Sequence, residues 1–283
     1  MNTNSNTYTV IYTTIIVVIV AAVLAFVAMT LKPLQDANVK AETISQMLSA
    51  AQLVNDSDLQ KMDNKAILAK YSESVKTAFL IDSKGAKVRE LNTGNGSIEL
   101  ADNLKEQNYN IRGAGEPSLP VYVFDKAGED VYVIPVYGAG LWGPVWGYFA
   151  FNGDCSKIVG AYFDHSGETP GLGAKIKDEP WFREQFAGKG VDVSGAKLFS
   201  IVKGGAPEGA ASAVDAIAGA TMTCNGLDAA INTWLSAYKP FLAAQMGAAS
   251  SSVCDGSCGE NHGNCCGRGN CDGSCGGNHQ CKR

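Results

Sequence analysis

Residues 121–125 (VYVFD), 131–137 (VYVIPVY) and 146–152 (WGYFAFN) are three closely spaced runs rich in β-branched and aromatic side chains. Such side chains suit a pleated sheet surface, and the glycines between the runs supply turns. The spacing predicts consecutive strands of one sheet. Residues 78–82 (AFLID), which end at Ser83-Lys84-Gly85, and 199–203 (FSIVK) read as two further strands. Helical periodicity flanks them. Ile44, Met47, Leu48 and Ala51 form one stripe, and Ser57 with Gln60 has the spacing of a capping box that opens a second helix. After Asn225, a stripe of Leu227, Ala230, Ile231, Trp234, Leu235 and Tyr238 marks a closing helix, which Pro240 is expected to end. The fold class is α+β, with one mixed domain over residues 32–243.

The N-terminal side differs in kind. The first 31 residues contain no Asp, Glu, Lys or Arg, and residues 10–31 are almost wholly apolar. At about 1.5 Å per residue this run reaches roughly 33 Å, enough for the hydrocarbon core of a bilayer. A cleaved signal peptide normally has a basic leading region and a shorter apolar stretch. A soluble helix is rarely apolar on all sides. The expectation is a short tail over 1–9 and a single transmembrane helix over 10–31. The first charges beyond it, Lys32, Asp36, Lys40 and Glu42, weakly favour a cytoplasmic main domain.

The 283 residues carry a net charge of −5, which argues against a general nucleic-acid binder, because phosphate affinity needs a basic face. Seven of the nine cysteines fall between Cys254 and Cys281. The domain is therefore not a disulfide scaffold, and Cys155 and Cys224 read as small buried hydrophobes. His165 reads as a surface loop residue.

Two segments carry unusual chemistry. One runs from His165 through Gly167-Glu168-Thr169-Pro170-Gly171-Leu172-Gly173, and the other is residues 214–223 (VDAIAGATMT). Each alone reads as a turn or a small-residue helix entry. Together and in this order they resemble the FMN-binding domain of membrane flavoproteins, in which FMN is joined through a phosphoester to a threonine. The flavinylation motif of that family runs Asp, two variable residues, Ser or Thr, Gly, Ala, Thr. Here it reads Asp215-Ala216-Ile217-Ala218-Gly219-Ala220-Thr221, with Ala218 where a hydroxyl residue is usual. Within the group, the chain is similar to the NqrC family of Na⁺-translocating NADH:quinone reductases. The similarity includes the opening anchor, Gly140-Leu141-Trp142-Gly143, GETPGLG, FSIVKG and WLSAYKPFL. The related G subunit of Rnf ferredoxin:NAD⁺ oxidoreductases usually has Phe-Thr-Gly-Ala-Thr at the flavin position, so it is the second reading.

The resemblance implies an electron-relaying flavoprotein subunit of a six-subunit NADH:quinone reductase that exports Na⁺. No complete active site would lie in this chain. It implies a flavin transferase as maturation partner, a single-pass place in the bacterial inner membrane and a periplasmic domain, against the weak charge signal. Thr221 would carry the covalent FMN. A helix starting there would offer free N–H groups and a positive dipole end to the phosphate, while Gly219 and Ala220 allow close approach. Thr169, Gly171, Leu172, Gly173, Thr223 and Trp142 are the expected cofactor contacts, with Trp146 a weaker one. Glu168 is expected to hold its loop. The chain itself is not expected to bind NADH.

The tail over 244–283 lies outside the resemblance. Cys254-Asp255-Gly256-Ser257-Cys258 recurs as Cys271-Asp272-Gly273-Ser274-Cys275, and His262 recurs as His279. Thiolates and imidazoles at this density suit Zn²⁺ or Cu⁺, so these four cysteines and two histidines are the candidate metal ligands. With almost no apolar residues the segment reads as a disordered, Cys-rich tail. On the tail alone, a membrane-anchored metal-binding protein is a further reading.

Overall fold

The computed structural model describes residues 6–94, 97–101 and 103–252. The six tail residues named as metal ligands lie outside them. Helix α1 (Asn6–Ala50) is followed by α2 (Asp56–Leu59), α3 (Asn64–Ser74), β1 (Val75–Ile81) and β2 (Lys87–Leu91). Next come α4 (Leu104–Tyr109) with a π turn at Asn110–Ala114, then β3 (Leu119–Lys126), β4 (Glu129–Ala139), β5 (Pro144–Phe151) and β6 (Ile158–His165). The chain continues through α5 (Lys175–Asp178), α6 (Pro180–Glu184), β7 (Ser200–Val202) and β8 (Ala213–Asp215) to α7 (Thr221–Ser252).

Strands β1 to β6 form one antiparallel sheet in the order β2-β1-β3-β4-β5-β6. Helical layers cover both faces. On β5, Val145, Phe149 and Phe151 point into a cluster with Leu227, Ile231, Trp234 and Leu235 of α7. Tyr148 and Ala150 point the other way, into a cluster with Ile44, Met47 and Leu48 of α1 and Tyr71 of α3. Two-sided burial explains why 121–124 on β3 is buried at every position instead of alternating with polar residues. A separate parallel pair, β7 and β8, is tied to α7 by side chains. Asp228 Oδ1 accepts from Ile201 N at 2.8 Å, and Asn232 Oδ1 accepts from Leu198 N and Phe199 N.

Three expectations change. The apolar run and most of the stripe of Ile44 to Ala51 lie in one 45-residue helix that ends at Ala50, so the boundary at 31/32 is not a break. Pro33 sits inside it, where it removes a single backbone donor. In the apolar part, Thr13, Thr14 and Thr30 donate their hydroxyls to carbonyls of the preceding turn. Asn55, not Ser57, occupies the N-cap position of α2, and α3 is capped by Asp63, which accepts from Ala66 N at 2.8 Å.

Pro240 does not end α7, which runs on to Ser252. Tertiary packing outweighs the missing bond. Phe241 lies edge-on to Phe79 at 6.2 Å and to Tyr132 at 5.8 Å, and Leu242 is buried. The β1–β2 turn closes on the same point. Gly85 has φ +79°, and a Cβ there would stand 2.7 Å from Phe241 N.

Candidate functional site

Three segments converge at the start of α7. The first is the β4–β5 loop over 140–143, closed by Gly140 N donating to Gly143 O at 2.7 Å. The second follows β6 and contains Glu168 to Gly173. The third is the approach to Thr221. Glycines let them touch. A Cβ at Gly140 would lie 2.4 Å from Glu168 Oε1, one at Gly173 would lie 2.4 Å from Thr223 Oγ1, and one at Gly226 would lie 2.2 Å from Ala139 O.

Glu168 joins all three and is 4% exposed. Its Oε1 accepts from Leu141 N at 2.8 Å and Trp142 N at 3.0 Å, and its Oε2 accepts from Thr223 Oγ1 at 2.6 Å. Its own N–H donates to His165 Nδ1 at 3.2 Å, so His165 is a half-buried partner at the end of β6 and not a free loop residue. Burial alone would push the Glu168 carboxyl up. The hydrogen bonds from Thr223, Trp142 and Leu141, with His165 nearby, outweigh burial and hold it below the usual carboxylate range.

The path to Thr221 is built locally. Asp215 Oδ1 accepts from Ala206 N at 2.7 Å, which fixes the loop beside β8. Ala220 N donates to Ile217 O at 3.1 Å, closing a turn in which Gly219 has φ +81°. That φ is open to glycine and strained for other residues. A Cβ at Gly219 would also meet Leu172 Cδ2 at 3.0 Å, which puts Leu172 directly against the turn. Ile217 N donates to Cys224 Sγ at 3.3 Å. Burial raises the Cys224 thiol, and it pushes Cys155 up to about 12, so both behave as buried structural thiols.

The two threonines are thereby separated. Thr223 is 2% exposed and spends its hydroxyl on Glu168. Thr221 is half-buried, and its hydroxyl makes no hydrogen bond among the described residues. It is the first residue of a 32-residue helix, and Ala220 before it has no side chain that could cap the first turn. Free N–H groups, a helix dipole and an accessible hydroxyl meet at one point, which suits a phosphate ester.

Around that point four large apolar side chains face solvent: Leu141 (49% exposed), Trp142 (70%), Leu172 (44%) and Met222 (59%). Thr169 and Gly171 flank Leu172 on the same loop, whereas Gly173 is buried under it. Sequence reasoning gave Leu172 and Trp142 but not Leu141 or Met222. The clue for those two was a large hydrophobe set among glycines or at a helix start. Trp146 is on the other sheet face, where its Nε1 donates to Gln46 Oε1 of α1 at 3.2 Å, so it does not join this site.

A family profile described as FMN-binding domain matches residues 140–236. That interval contains all three converging segments. The C subunit of the Na⁺-translocating NADH-quinone reductase of Vibrio campbellii is 34% identical over 223 residues, covering 66% of this chain and 84% of that protein. The chain belongs to the NqrC family of these reductases. The Chlamydia muridarum member is 27% identical, covering 84% of this chain and 92% of its own. The crystal structure of the family member from Parabacteroides distasonis superposes with a TM-score of 0.62 at 34% identity, covering 75% of this chain and 96% of that one. NqrC of Shewanella oneidensis gives 0.54 at 28% identity, covering 73% and 97%. The sheet with its flanking helices is therefore the NqrC fold, and the exposed apolar cluster around Thr221 lies in its FMN-binding domain.

The close helix–loop contact gives a direct test of the site's construction. Gly226→Ala places a methyl against Ala139 O and forces α7 away from the 140–143 loop. The expected cost is about 1–3 kcal/mol, typical of overpacking. It is read as a lower Tm together with reduced flavin content, whereas Gly247→Ala, which meets nothing within 4 Å, changes neither.

Proposed function

We propose that this chain carries FMN as a phosphoester on Thr221 and relays electrons within a Na⁺-exporting NADH:quinone reductase. The observation that carries the assignment is the contrast between two neighbouring hydroxyls. Thr221 is accessible at a helix start and its hydroxyl is unbonded among the described residues, and Thr223 is buried and committed to Glu168. In maturation the Thr221 hydroxyl is the nucleophile. Its Oγ forms a bond to the FMN phosphorus of FAD, the bond to the AMP phosphate breaks, AMP leaves and the hydroxyl proton is lost to the medium. A flavin transferase supplies the catalytic groups.

Once bound, FMN supplies one- and two-electron transfer, and the protein sets its place and surroundings. The N–H groups of the first turn of α7 would hold the phosphate. The Trp142 indole would offer a flat apolar surface to the ring system, and Leu172, against Gly219, an apolar edge. Glu168 keeps the loops bearing Trp142 and Leu172 in register with the helix start. Intact mass of the chain co-expressed with the transferase tests the proposal: one FMN increment per chain is expected, and its absence refutes it.

The proposal includes a single pass through the bacterial inner membrane and a periplasmic domain within a six-subunit assembly. Helix α1 supports the pass, because its apolar part is long enough to cross a bilayer and none of it is buried in the protein. Alkaline phosphatase fused after Ser252 is then expected to be active. An inactive phosphatase with an active cytoplasmic reporter at the same junction would reverse the orientation. Metal binding by Cys254, Cys258, His262, Cys271, Cys275 and His279 remains a separate proposal for the tail.

A further inference from the structure

A groove of about 730 Å³ opens where α1 leaves its apolar run and reaches the domain. Its size is within the range of roughly 300–1,000 Å³ common to ligand pockets. It lies on the α1 side of the sheet, away from Thr221. One wall is a single stripe of α1, with Lys32, Asp36 and Lys40 at intervals of four residues. The opposite wall brings Leu100, Leu104 and Lys105, and aromatic side chains of Tyr137 and Trp146 line it from β4 and β5.

Its charges do not cancel. Asp36 pairs with Lys32 at 3.5 Å, and the other acid in the lining, Glu99, is held by Arg89 at 2.7 Å. Lys40 donates to the Ile98 carbonyl, and Lys105 has no acidic partner among the described residues. Lys32 directly follows Leu31, the last residue of the apolar run, so it stands at headgroup depth. Lys40 is eight residues further, about 12 Å along the helix. Followed downward, the same stripe continues through Met29, Ala28 and Ala25, on the exposed surface that acyl chains would cover.

We propose that this groove seats the headgroup of an anionic phospholipid whose chains lie along α1 below Lys32. The lysines meet the phosphate, and Trp and Tyr are the side chains favoured at such an interface. The site rests on α1 spanning a membrane and is independent of the flavin assignment.

The test uses the full chain in detergent micelles, followed by native mass spectrometry with phosphatidylglycerol, phosphatidylcholine or soluble glycerol phosphate. One phosphatidylglycerol is expected to stay bound at concentrations where the other two do not. Lys32→Gln with Lys105→Gln is expected to weaken it tenfold or more at unchanged Tm. Lys61→Gln with Lys65→Gln, exposed lysines near α2 and on α3, is expected to have no effect. Equal retention of phosphatidylcholine, or indifference to the Lys32 and Lys105 changes, would overturn the lipid site. Equal binding of glycerol phosphate would overturn it too, by assigning the groove to a soluble anion. Alkaline carbonate washing separates the premise from the site: a chain released from membranes has no span, whatever it binds.

Discussion

Thr221→Ala is expected to yield a chain with no covalent flavin. It should be folded, with no in-gel flavin fluorescence after denaturation and a mass lacking the FMN increment. The loss should be complete and not partial, because the nearest alternative cannot take over. Thr223 is 2% exposed and its Oγ1 lies 2.6 Å from Glu168 Oε2, so exposing it would mean opening the first turn of α7. Thr221→Ser keeps the nucleophilic hydroxyl at the same helix start and is expected to retain flavin. An FMN increment in the Ala variant would move the acceptor elsewhere and refute the assignment.

The second large effect is expected at Glu168. Replacing it with Ala removes the acceptor of Leu141 N, Trp142 N and the Thr223 hydroxyl at once. Each donor left unsatisfied in a buried setting costs about 1–3 kcal/mol, and the three are not additive. A total near 3 kcal/mol would lower Tm by roughly 6–12 °C in a domain of this size. Because the carboxylate joins all three segments, flavin content should fall with stability. Acid provides an independent reading. The folded carboxyl is held below its ordinary value, so its contribution is present above the unfolded pKa of about 4.3 and is lost as pH falls through the folded value. Tm should therefore drop as pH falls from about 5 through the depressed folded value, and Glu168→Gln should flatten that drop. An identical acid slope in the Gln variant would show that another group titrates there.

The parts of this fold that were legible are those where local chemistry and tertiary structure agree. The runs at 121–125, 131–137 and 146–152 are strands because their side chains fit a sheet buried on both faces. The start of α7 at Thr221 was legible because Gly219 and Ala220 leave little else for the chain to do there. Strand β2 was missed because it is an edge: Lys87, Arg89 and Glu90 carry charge that pairs with Glu90, Glu99 and Lys87 rather than a hydrophobic signal. Strand β6 was missed because Gly160, whose absent side chain admits Ala50 O of α1, interrupts its pattern. Pro240 misled because a backbone rule was applied without knowing that Phe241 and Leu242 would be anchored. Glu168 was recognised as a loop holder, but its partners are 26 to 55 residues away in sequence, so no spacing could reveal them.

The continuity of α1 carries a mechanical consequence. From the apolar run to Ala50 the helix is unbroken, Pro33 included, and Ala41, Ile44, Met47 and Leu48 of the same helix pack against the sheet. The helix therefore acts as a shaft, with the domain keyed to its upper end. Adding one residue just after Pro33 would lift the domain by about 1.5 Å but turn it by about 100° around the shaft. The aim of the exposed face around Thr221, much more than its height, is thus fixed by the number of residues between Leu31 and Ala41.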